Sequence, residues 1–231
     1  MSQLLGAPVK RVVYRPLTKV LRHVEDIGGL IYGGYARYLV TPNRSNLRRF
    51  NDIDIFPQHE RYLRNITDYL DRHIGNGRVH NYNGVRVYTY KFSKNFFWHD
   101  DVPLKIQVVE KFGSPEQIMD GFDITLCQVM VSLKLRQAYF TRDFWNDLID
   151  NRFRFRYPIS TDDLNHSSYR IVKYINKGFE LDMPAFTDIY RNLADEHDKD
   201  YFISCLKQGV LPEFDSLDWA KIRVIETLAT S

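Results

Sequence analysis

The sequence predicts an α+β fold, in which a mixed β-sheet head with flanking helices over residues 1–112 precedes a helical region over residues 113–231. Short β-rich runs alternate with amphipathic helical patterns up to Gly113, whereas apolar residues at helical spacing dominate after it. The chain is 44% hydrophobic and 26% charged, which is typical of a globular protein with a sizeable core.

Local signals predict the elements of the head in chain order. Helical spacing of apolar residues predicts amphipathic helices over residues 15–27 and 59–75. Apolar, β-rich runs predict strands over residues 28–34, 52–56 and 102–112. The pair Asn83-Gly84 lies between two further β-rich runs and predicts a hairpin.

The region after Gly113 carries one segment with two interpretations. In NRFRFRYP, residues 151–158, Arg152, Arg154 and Arg156 alternate with aromatic residues. An extended strand of this kind could hold an RNA backbone. The interpretation we prefer is an amphipathic strand with phenylalanine in the core.

Composition also limits the cellular context. Cys127 and Cys205 lie far apart in apolar sequence, which predicts neither a disulfide framework nor a Cys-x-x-Cys zinc site. We found no signal peptide and no run long enough for a membrane helix, so we expect a cytoplasmic protein with no membrane partner. The net charge is only +3, but a basic cluster at Arg44, Arg48 and Arg49 permits a polyanionic partner.

The strand DIDIF carries two aspartates. Side chains alternate across a strand, so Asp52 and Asp54 project from one face while Ile53 and Ile55 project from the other. Such a carboxylate pair suits a hard cation such as Mg²⁺, shared with substrate phosphates. Taken alone, Asp-x-Asp is more often a solvated strand face.

The glycines that precede this strand favour the metal-site interpretation. Gly33 and Gly34 follow the short strand in IYGGYAR, where a strand-to-helix turn lets the backbone approach a phosphate closely. Gly33, Gly34 and Arg37, followed by Asp52 and Asp54, resemble the signature of the DNA polymerase β-like nucleotidyltransferase superfamily. The order is most similar to the heads of class II tRNA CCA-adding enzymes and bacterial poly(A) polymerases.

Two later segments extend the resemblance. GFDITLCQ, residues 121–128, is similar to the family segment Arg-Arg-Asp-Phe-Thr-x-Asn-Ala, with Asp123 and Thr125 matching. YRIVKYINKGFEL, residues 169–181, is similar to a basic helix of the pattern Arg-x-x-Arg. There Arg170, Lys173 and Lys177 would share one helical face, although such a face is usually solvated.

The resemblance implies a nucleotidyltransferase-type head, with a helical region that completes the nucleotide site. Asp52 and Asp54 would bind Mg²⁺ or Mn²⁺ as catalytic ligands, and Gly33 and Gly34 would cradle the triphosphate of an NTP. Substrate binding would further involve Arg37, Asp123, Arg170 and Lys173. The implied reaction transfers an NMP, for instance from ATP, to an acceptor hydroxyl, with an RNA 3′ end as the expected acceptor.

The sequence departs from the family pattern at several positions. Tyr38 replaces the aspartate of the glycine turn, and the family's two arginines and asparagine become Gly121, Phe122 and Cys127. The third carboxylate of the superfamily is matched by neutral Gln107. Asp123 could supply a carboxylate in its place, or it could be a helix N-cap. Two alternatives therefore stay open: a protein-modifying, toxin-type nucleotidyltransferase, and a degenerate module that binds a nucleotide, RNA or a partner.

Overall fold

The structure is a computed structural model that describes residues 4–9, 15–41, 50, 52–82, 84–92, 104–156, 170–171, 173–181, 200 and 204. The chain divides into two compact units, residues 1–149 and residues 150–231. The predicted basic cluster at Arg44, Arg48 and Arg49 lies outside the described residues, as does Cys205. No helix within the described part of the chain is long and apolar enough to cross a membrane.

An eight-stranded mixed sheet forms the centre of the first unit, in the order β1-β8-β7-β2-β3-β6-β5-β4. Its strands are β1 (Leu5–Pro8), β2 (Gly29–Tyr32), β3 (Asp52–Pro57), β4 (Arg78–Tyr82), β5 (Val85–Phe92), β6 (Leu104–Val109), β7 (Val129–Ser132) and β8 (Gln137–Phe140). Only β3 and β6 pair in parallel, and the other neighbours are antiparallel. The α+β class predicted from the sequence is confirmed.

Among the described residues of this unit, five helices flank the sheet: α1 (Arg15–Asp26), α2 (Gly33–Val40), α3 (Glu60–His73), α4 (Pro115–Asp120) and α5 (Arg142–Ile149). Their ends follow local chemistry. The ring of His59 accepts a hydrogen bond from the Arg61 N–H at the start of α3, and Ser114 with Gln117 forms a capping box at the start of α4. The predicted hairpin is confirmed, with Gly84 in its turn at φ +80°.

The main core lies on one face of the sheet. Ile53, Ile55, Ile106 and Val108 are fully buried there. Helices α1 and α3 cover this face, since Val24 of α1 lies close to Ile55 beside Gly29, and the hydroxyl of Tyr90 donates to the Thr67 carbonyl of α3. The alternation predicted for β3 therefore places its isoleucines in the core.

A second apolar cluster lies on the opposite face, beneath α4. It consists of buried residues from β2, β3, α4 and β7: Leu30, Tyr32, Phe56, Ile118, Met119 and Met130. The rings of Tyr32 and Phe56 meet edge to face, with 5.3 Å between centroids. This cluster shares its face of β3 with Asp52 and Asp54, which lie toward the other end of the strand.

The prediction of helical structure after Gly113 is wrong for residues 129–140. These residues form the β7–β8 hairpin, and a 3-10 turn (Thr125–Cys127) precedes it. Both strands join the sheet of the first unit, which extends to Ile149, whereas the sequence suggested a boundary after residue 112. Within residues 113–149, all of which the structure describes, α4 and α5 are the two segments that form the predicted α-helix.

The second unit contains a two-stranded parallel sheet formed by β9 (Arg152–Phe153) and β10 (Glu180–Leu181). Phe153 is fully buried and stacks on Tyr174, with 5.2 Å between ring centroids. Arg152 is partly exposed and forms an ion pair with Asp150 at 3.3 Å. The amphipathic strand interpretation is therefore confirmed for Arg152 and Phe153.

Candidate active site at the glycine turn and the acidic strand

The predicted glycine turn joins β2 directly to α2. Tyr32 has extended backbone at the N-cap, and Gly33 follows with φ +73°, in the left-handed region that favours glycine. Helix α2 then begins at Gly33. The strand-to-helix geometry expected of a phosphate-binding turn is therefore present.

Both aspartates of β3 lie against this turn. A Cβ added at Gly33 would overlap Oδ2 of Asp54, and one added at Gly34 would lie 3.5 Å from Oδ1 of Asp52. The register explains this proximity, because Tyr32 of β2 pairs with Asp54 of β3. Asp52 and Asp54 are both partly exposed residues.

The neighbours of the aspartates on β6 differ in charge. Asp54 pairs with Gln107 and Asp52 pairs with Lys105, so all four side chains occupy one face of the sheet. The prediction that a neutral glutamine stands beside the aspartate pair is therefore confirmed. Sequence reasoning missed Lys105, because its proximity to Asp52 depends on the parallel register of two strands far apart in the chain.

Arg37 links the glycine turn to the segment GFDITLCQ. It is 5% exposed, and its Nη1 donates a hydrogen bond of 3.2 Å to the carbonyl oxygen of Leu126. Its Nη2 lies 3.9 Å from the position that a Cβ at Gly34 would take. The guanidinium is thus held at the turn, where it contributes positive charge.

Thr125 of the segment GFDITLCQ forms a buried polar pair with a residue of α5, which sequence reasoning missed. Asp147 of α5 is fully buried and accepts a hydrogen bond of 2.6 Å from the Thr125 hydroxyl. No local sequence signal joins two residues 22 positions apart. Asp123 is partly exposed and precedes a 3-10 turn whose N-cap is Ile124, so it does not cap a helix. Its predicted role in substrate binding stays a prediction.

Tyr38 lies where the glycine turn of the nucleotidyltransferase signature has an aspartate, and it joins an aromatic cluster beside the turn. Its ring lies 5.2 Å from that of Phe50, and the ring of Tyr35 lies 4.9 Å from Phe50 in an edge-to-face contact. Burial raises the pKa of the Tyr35 phenol far above its ordinary value, so Tyr35 stays neutral. Phe50 in turn lies 3.4 Å from the added Cβ position at Gly34, next to the start of β3.

Arg170 and Lys173 lie in the second unit. Both are partly exposed and occupy helical positions three residues apart, as the sequence predicted. The helix does not extend to Lys177, which lies in a turn that ends at Gly178 with φ +86°. The Lys177 ammonium lies 5.8 Å from the ring centroid of Tyr174. The predicted nucleotide contacts of Arg170 and Lys173 stay predictions.

The donor set at the turn fits a hard divalent cation. The Asp54 carboxylate lies against Gly33 and the Asp52 carboxylate lies beside Gly34, and oxygen ligands of this kind suit Mg²⁺ or Mn²⁺. Among the described residues, no group of three or more histidine, cysteine, aspartate or glutamate side chains could hold a metal. If such a cation binds here, Asp52 and Asp54 would supply its two protein ligands, and the other ligands would come from substrate oxygens and water.

The fold places the chain in a recognisable structural class. A Thermotoga maritima CCA-adding enzyme complexed with tRNA matches with a TM-score of 0.60 at 14% identity, over 89% of this chain and 50% of that chain. A CCA-adding enzyme with CTP matches with a TM-score of 0.56 at 14% identity, over 88% and 50% of the two chains. An apo tRNA-processing enzyme gives 0.52 at 18% identity, over 79% and 48%. The chain therefore has a nucleotidyltransferase-type fold and spans about half the length of these solved structures.

The family is shown by the sequence itself. The protein-family model described as "Gabija anti-defense 2 family protein" matches residues 9–151 of the sequence, which is more than half of the 231 residues. The chain therefore belongs to the Gabija anti-defense 2 family. No curated protein matches the chain significantly.

Proposed function

We propose that this protein is a metal-dependent nucleotidyltransferase that transfers an NMP from an NTP to an acceptor hydroxyl. The bond between the α- and β-phosphates breaks, pyrophosphate leaves, and the hydroxyl proton passes to water. One observation carries the proposal: the two carboxylates of β3 meet the glycine turn at the start of α2. A triphosphate placed at the turn would bring its phosphorus atoms next to the same carboxylates. The fold shared with CCA-adding enzymes agrees with this chemistry.

The glycine turn is suited to bind the phosphates. Gly34 has no side chain, so the space that a Cβ would fill between Phe50, Asp52 and Arg37 is open to a phosphate oxygen. The first N–H groups of a helix have no partner within it, so the start of α2 at Gly33 favours an anion. Arg37 adds a fixed positive charge at the same place.

Asp52 and Asp54 would hold Mg²⁺ or Mn²⁺. When bound, such a cation neutralises the triphosphate and stabilises the charge that develops during in-line displacement. The contribution of the chain is to orient the two carboxylates, since β3 is fixed by its buried isoleucines and Gly33 leaves room for Asp54. Gln107 is neutral at the common pH range, so it can donate or accept a hydrogen bond beside Asp54 but cannot remove a proton.

We propose an RNA hydroxyl as the acceptor. Solved structures with the same fold include a CCA-adding enzyme in complex with tRNA, which supports this choice. The family name adds a context, because it associates the chain with action against a defence system called Gabija. Transfer of a nucleotide onto a component of that system would join the two observations.

Two other functions have a specific observation in their favour. The family name equally suits a protein hydroxyl as acceptor, in the manner of a toxin-type nucleotidyltransferase, if the target is a defence protein. The neutral Gln107 beside Asp54 favours a non-catalytic module that binds a nucleotide or a partner.

The variant Asp54→Asn tests the catalytic proposal. We expect it to abolish Mg²⁺-dependent incorporation of radiolabelled NMP into total RNA. Removing one of two repelling carboxylates should leave the melting temperature unchanged or raise it, because the pair repels in the absence of metal. Mg²⁺ with a non-hydrolysable NTP should stabilise the wild type by mass action, and the variant should lose most of that increment.

Each alternative gives a different result in these two measurements, the incorporation of label and the melting temperature. Label on the protein or on a protein target, with none on RNA, would replace RNA by a protein acceptor. A nucleotide that raises the melting temperature equally with and without Mg²⁺ would favour the binding module. A wild type whose melting temperature changes with neither Mg²⁺ nor any of the four nucleotides would contradict the catalytic proposal.

A further inference from the structure

A row of cations continues the aspartate-bearing face of the sheet across three strands. In register, Asp52 of β3 pairs with Lys105 of β6, which pairs with Lys91 of β5. One row along the strands, Gln107 pairs with Thr89, which pairs with Arg78 of β4. Residues paired across neighbouring strands project from the same face, so Lys105, Lys91 and Arg78 share the face of the two aspartates.

These cations are accessible. Lys91 and Arg78 are exposed and Lys105 is partly exposed, whereas Tyr90 on the other face of β5 is 1% exposed beneath α3. Neighbouring strands lie about 4.8 Å apart, so Lys105, Lys91 and Arg78 stand about 5, 10 and 14 Å from β3 in the plane of the sheet. We call these three residues the cationic row.

The described residues of β4, β5 and β6 place no carboxylate on this face. Its other members at described positions carry no acidic side chain: His80, Val85, Val87, Thr89, Gln107 and Val109. Glu110 follows β6 and forms an ion pair with Arg86, which projects from the opposite face of β5. Every formally charged residue that β4, β5 and β6 place on this face within their described ranges is therefore a cation.

The glycine turn and the cationic row lie on opposite sides of the aspartates. The turn follows β2, which flanks β3 on one side, and the row begins on β6, which flanks β3 on the other. A nucleotide held at the turn would lie on the β2 side of the aspartates, whereas a second anionic substrate on the row would lie on the β6 side. The arrangement thus separates the nucleotide side from the acceptor side.

We propose that the cationic row binds the phosphodiester backbone of a single-stranded nucleic acid acceptor and directs its end toward Asp54; this proposal rests on the nucleotidyltransferase function proposed above. The chemistry of the face favours nucleic acid over protein. The buried core of a protein interface is enriched in apolar side chains, but on this face Val87 is 8% exposed and Val85 and Val109 are only partly exposed. Interfaces with nucleic acid are more polar and more positive, as this face is.

The test measures RNA binding and its salt dependence. A fluorescent single-stranded RNA of about 20 nucleotides is titrated by anisotropy between about 50 and 200 mM salt, with a DNA of the same sequence as a second arm. The variant Arg78→Gln/Lys91→Gln/Lys105→Gln should bind at least about tenfold more weakly, and its log-log salt slope should fall by about 2, since each lost single-strand phosphate contact removes about 0.7.

The matched control removes three exposed cations from helices that cover the other face, in Lys19→Gln/Arg64→Gln/Arg72→Gln. Both triple variants lower the net charge from +3 to zero, so a general charge effect would weaken them equally. We expect the control to keep the affinity and slope of the wild type. Stabilisation by Mg²⁺ and a non-hydrolysable NTP should persist in the control and in the variant Arg78→Gln/Lys91→Gln, which keeps Lys105 beside Asp52, and this separates failure of this proposal from failure of the nucleotidyltransferase function.

Three results would overturn the proposal: equal weakening in both triple variants, an unchanged salt slope in the cationic-row variant, or a wild type that binds neither RNA nor DNA. Equal affinity for the RNA and DNA probes would show that the row binds the phosphodiester backbone whatever the sugar. Equal affinity and a preference for RNA both support the proposal if binding depends on the row. If the triple variant unfolds, the variant Arg78→Gln/Lys91→Gln, with both changes at exposed positions, carries the same test with an expected slope change of about 1.4.

Discussion

Strand β3 builds two different environments on one face. At its start, Asp52 and Asp54 are partly exposed and lie against glycines. Near its end, Phe56 is 6% exposed and packs edge to face against Tyr32 and Phe122. The apolar end fixes the strand through burial, and this fixed strand holds two repelling carboxylates at a set position. Substitutions at the apolar end should therefore affect stability, and those at the acidic end should affect ligand binding.

The largest expected effect on stability is at the apolar end. Phe56→Ala should lower the free energy of unfolding by about 3 to 5 kcal/mol, because it removes a buried ring and leaves a cavity between Tyr32 and Phe122. Urea denaturation followed by circular dichroism measures this change. Phe56→Leu is the control and should lose less. A Phe56→Ala variant as stable as the wild type would show that this cluster does not fix β3.

The two glycines of the turn should respond differently to alanine. Gly33→Ala should destabilise the fold by about 2 kcal/mol, because it places a side chain at φ +73° and against the Asp54 carboxylate. Gly34→Ala should keep the stability, since its Cβ would make ordinary contacts at 3.4 Å or more. Thermal denaturation of both variants measures the difference.

Gly34→Ala also separates folding from function at the acidic end. Its methyl group would fill the space that we assign to a phosphate oxygen. We expect calorimetry to show at least about tenfold weaker binding of a non-hydrolysable NTP, equivalent to about 1.4 kcal/mol. Unchanged affinity in a folded Gly34→Ala variant would remove the turn from the nucleotide site.

The neutral position on β6 offers a gain of function. Gln107→Asp should place a third carboxylate beside Asp54 and raise the Mg²⁺ affinity about tenfold, or about 1.4 kcal/mol. The matched variant Gln107→Asn keeps the charge and should leave Mg²⁺ binding unchanged. Calorimetry with Mg²⁺ and a non-hydrolysable NTP measures both. Equal affinity in both variants would show that this position does not face the cation.

The smallest expected effect is at the aromatic cluster beside the turn. Tyr38→Ala should lower the free energy of unfolding by about 1 kcal/mol, because it removes the ring contact with Phe50. Tyr38→Phe keeps the ring and is the control, with most of the stability retained. Chemical denaturation of both variants compares them. A Tyr38→Ala variant as stable as the wild type would show that the ring of Tyr38 has no packing role.

Several features of the site follow from the sequence alone. Alternation along DIDIF determined that the two aspartates share a face, since successive side chains of a strand point to opposite sides. The glycine pair after an apolar run determined the strand-to-helix turn, because Gly33 needs a positive φ. Asn83-Gly84 likewise determined the β4–β5 hairpin. Each of these signals acts over a few neighbouring residues.

The tertiary structure decided the rest through pairings between distant residues. Residues 129–140 form a hairpin although their turn lacks glycine and proline, and Arg136 takes φ +53° there. The cross-strand partners of β7, which include Ala138 and Ile31, fix this hairpin. The parallel register of β3 and β6 brings Lys105 beside Asp52, and the fold buries Arg37 against Leu126. Strand register and burial depend on residues far apart in the chain, so no local pattern in the sequence could specify them.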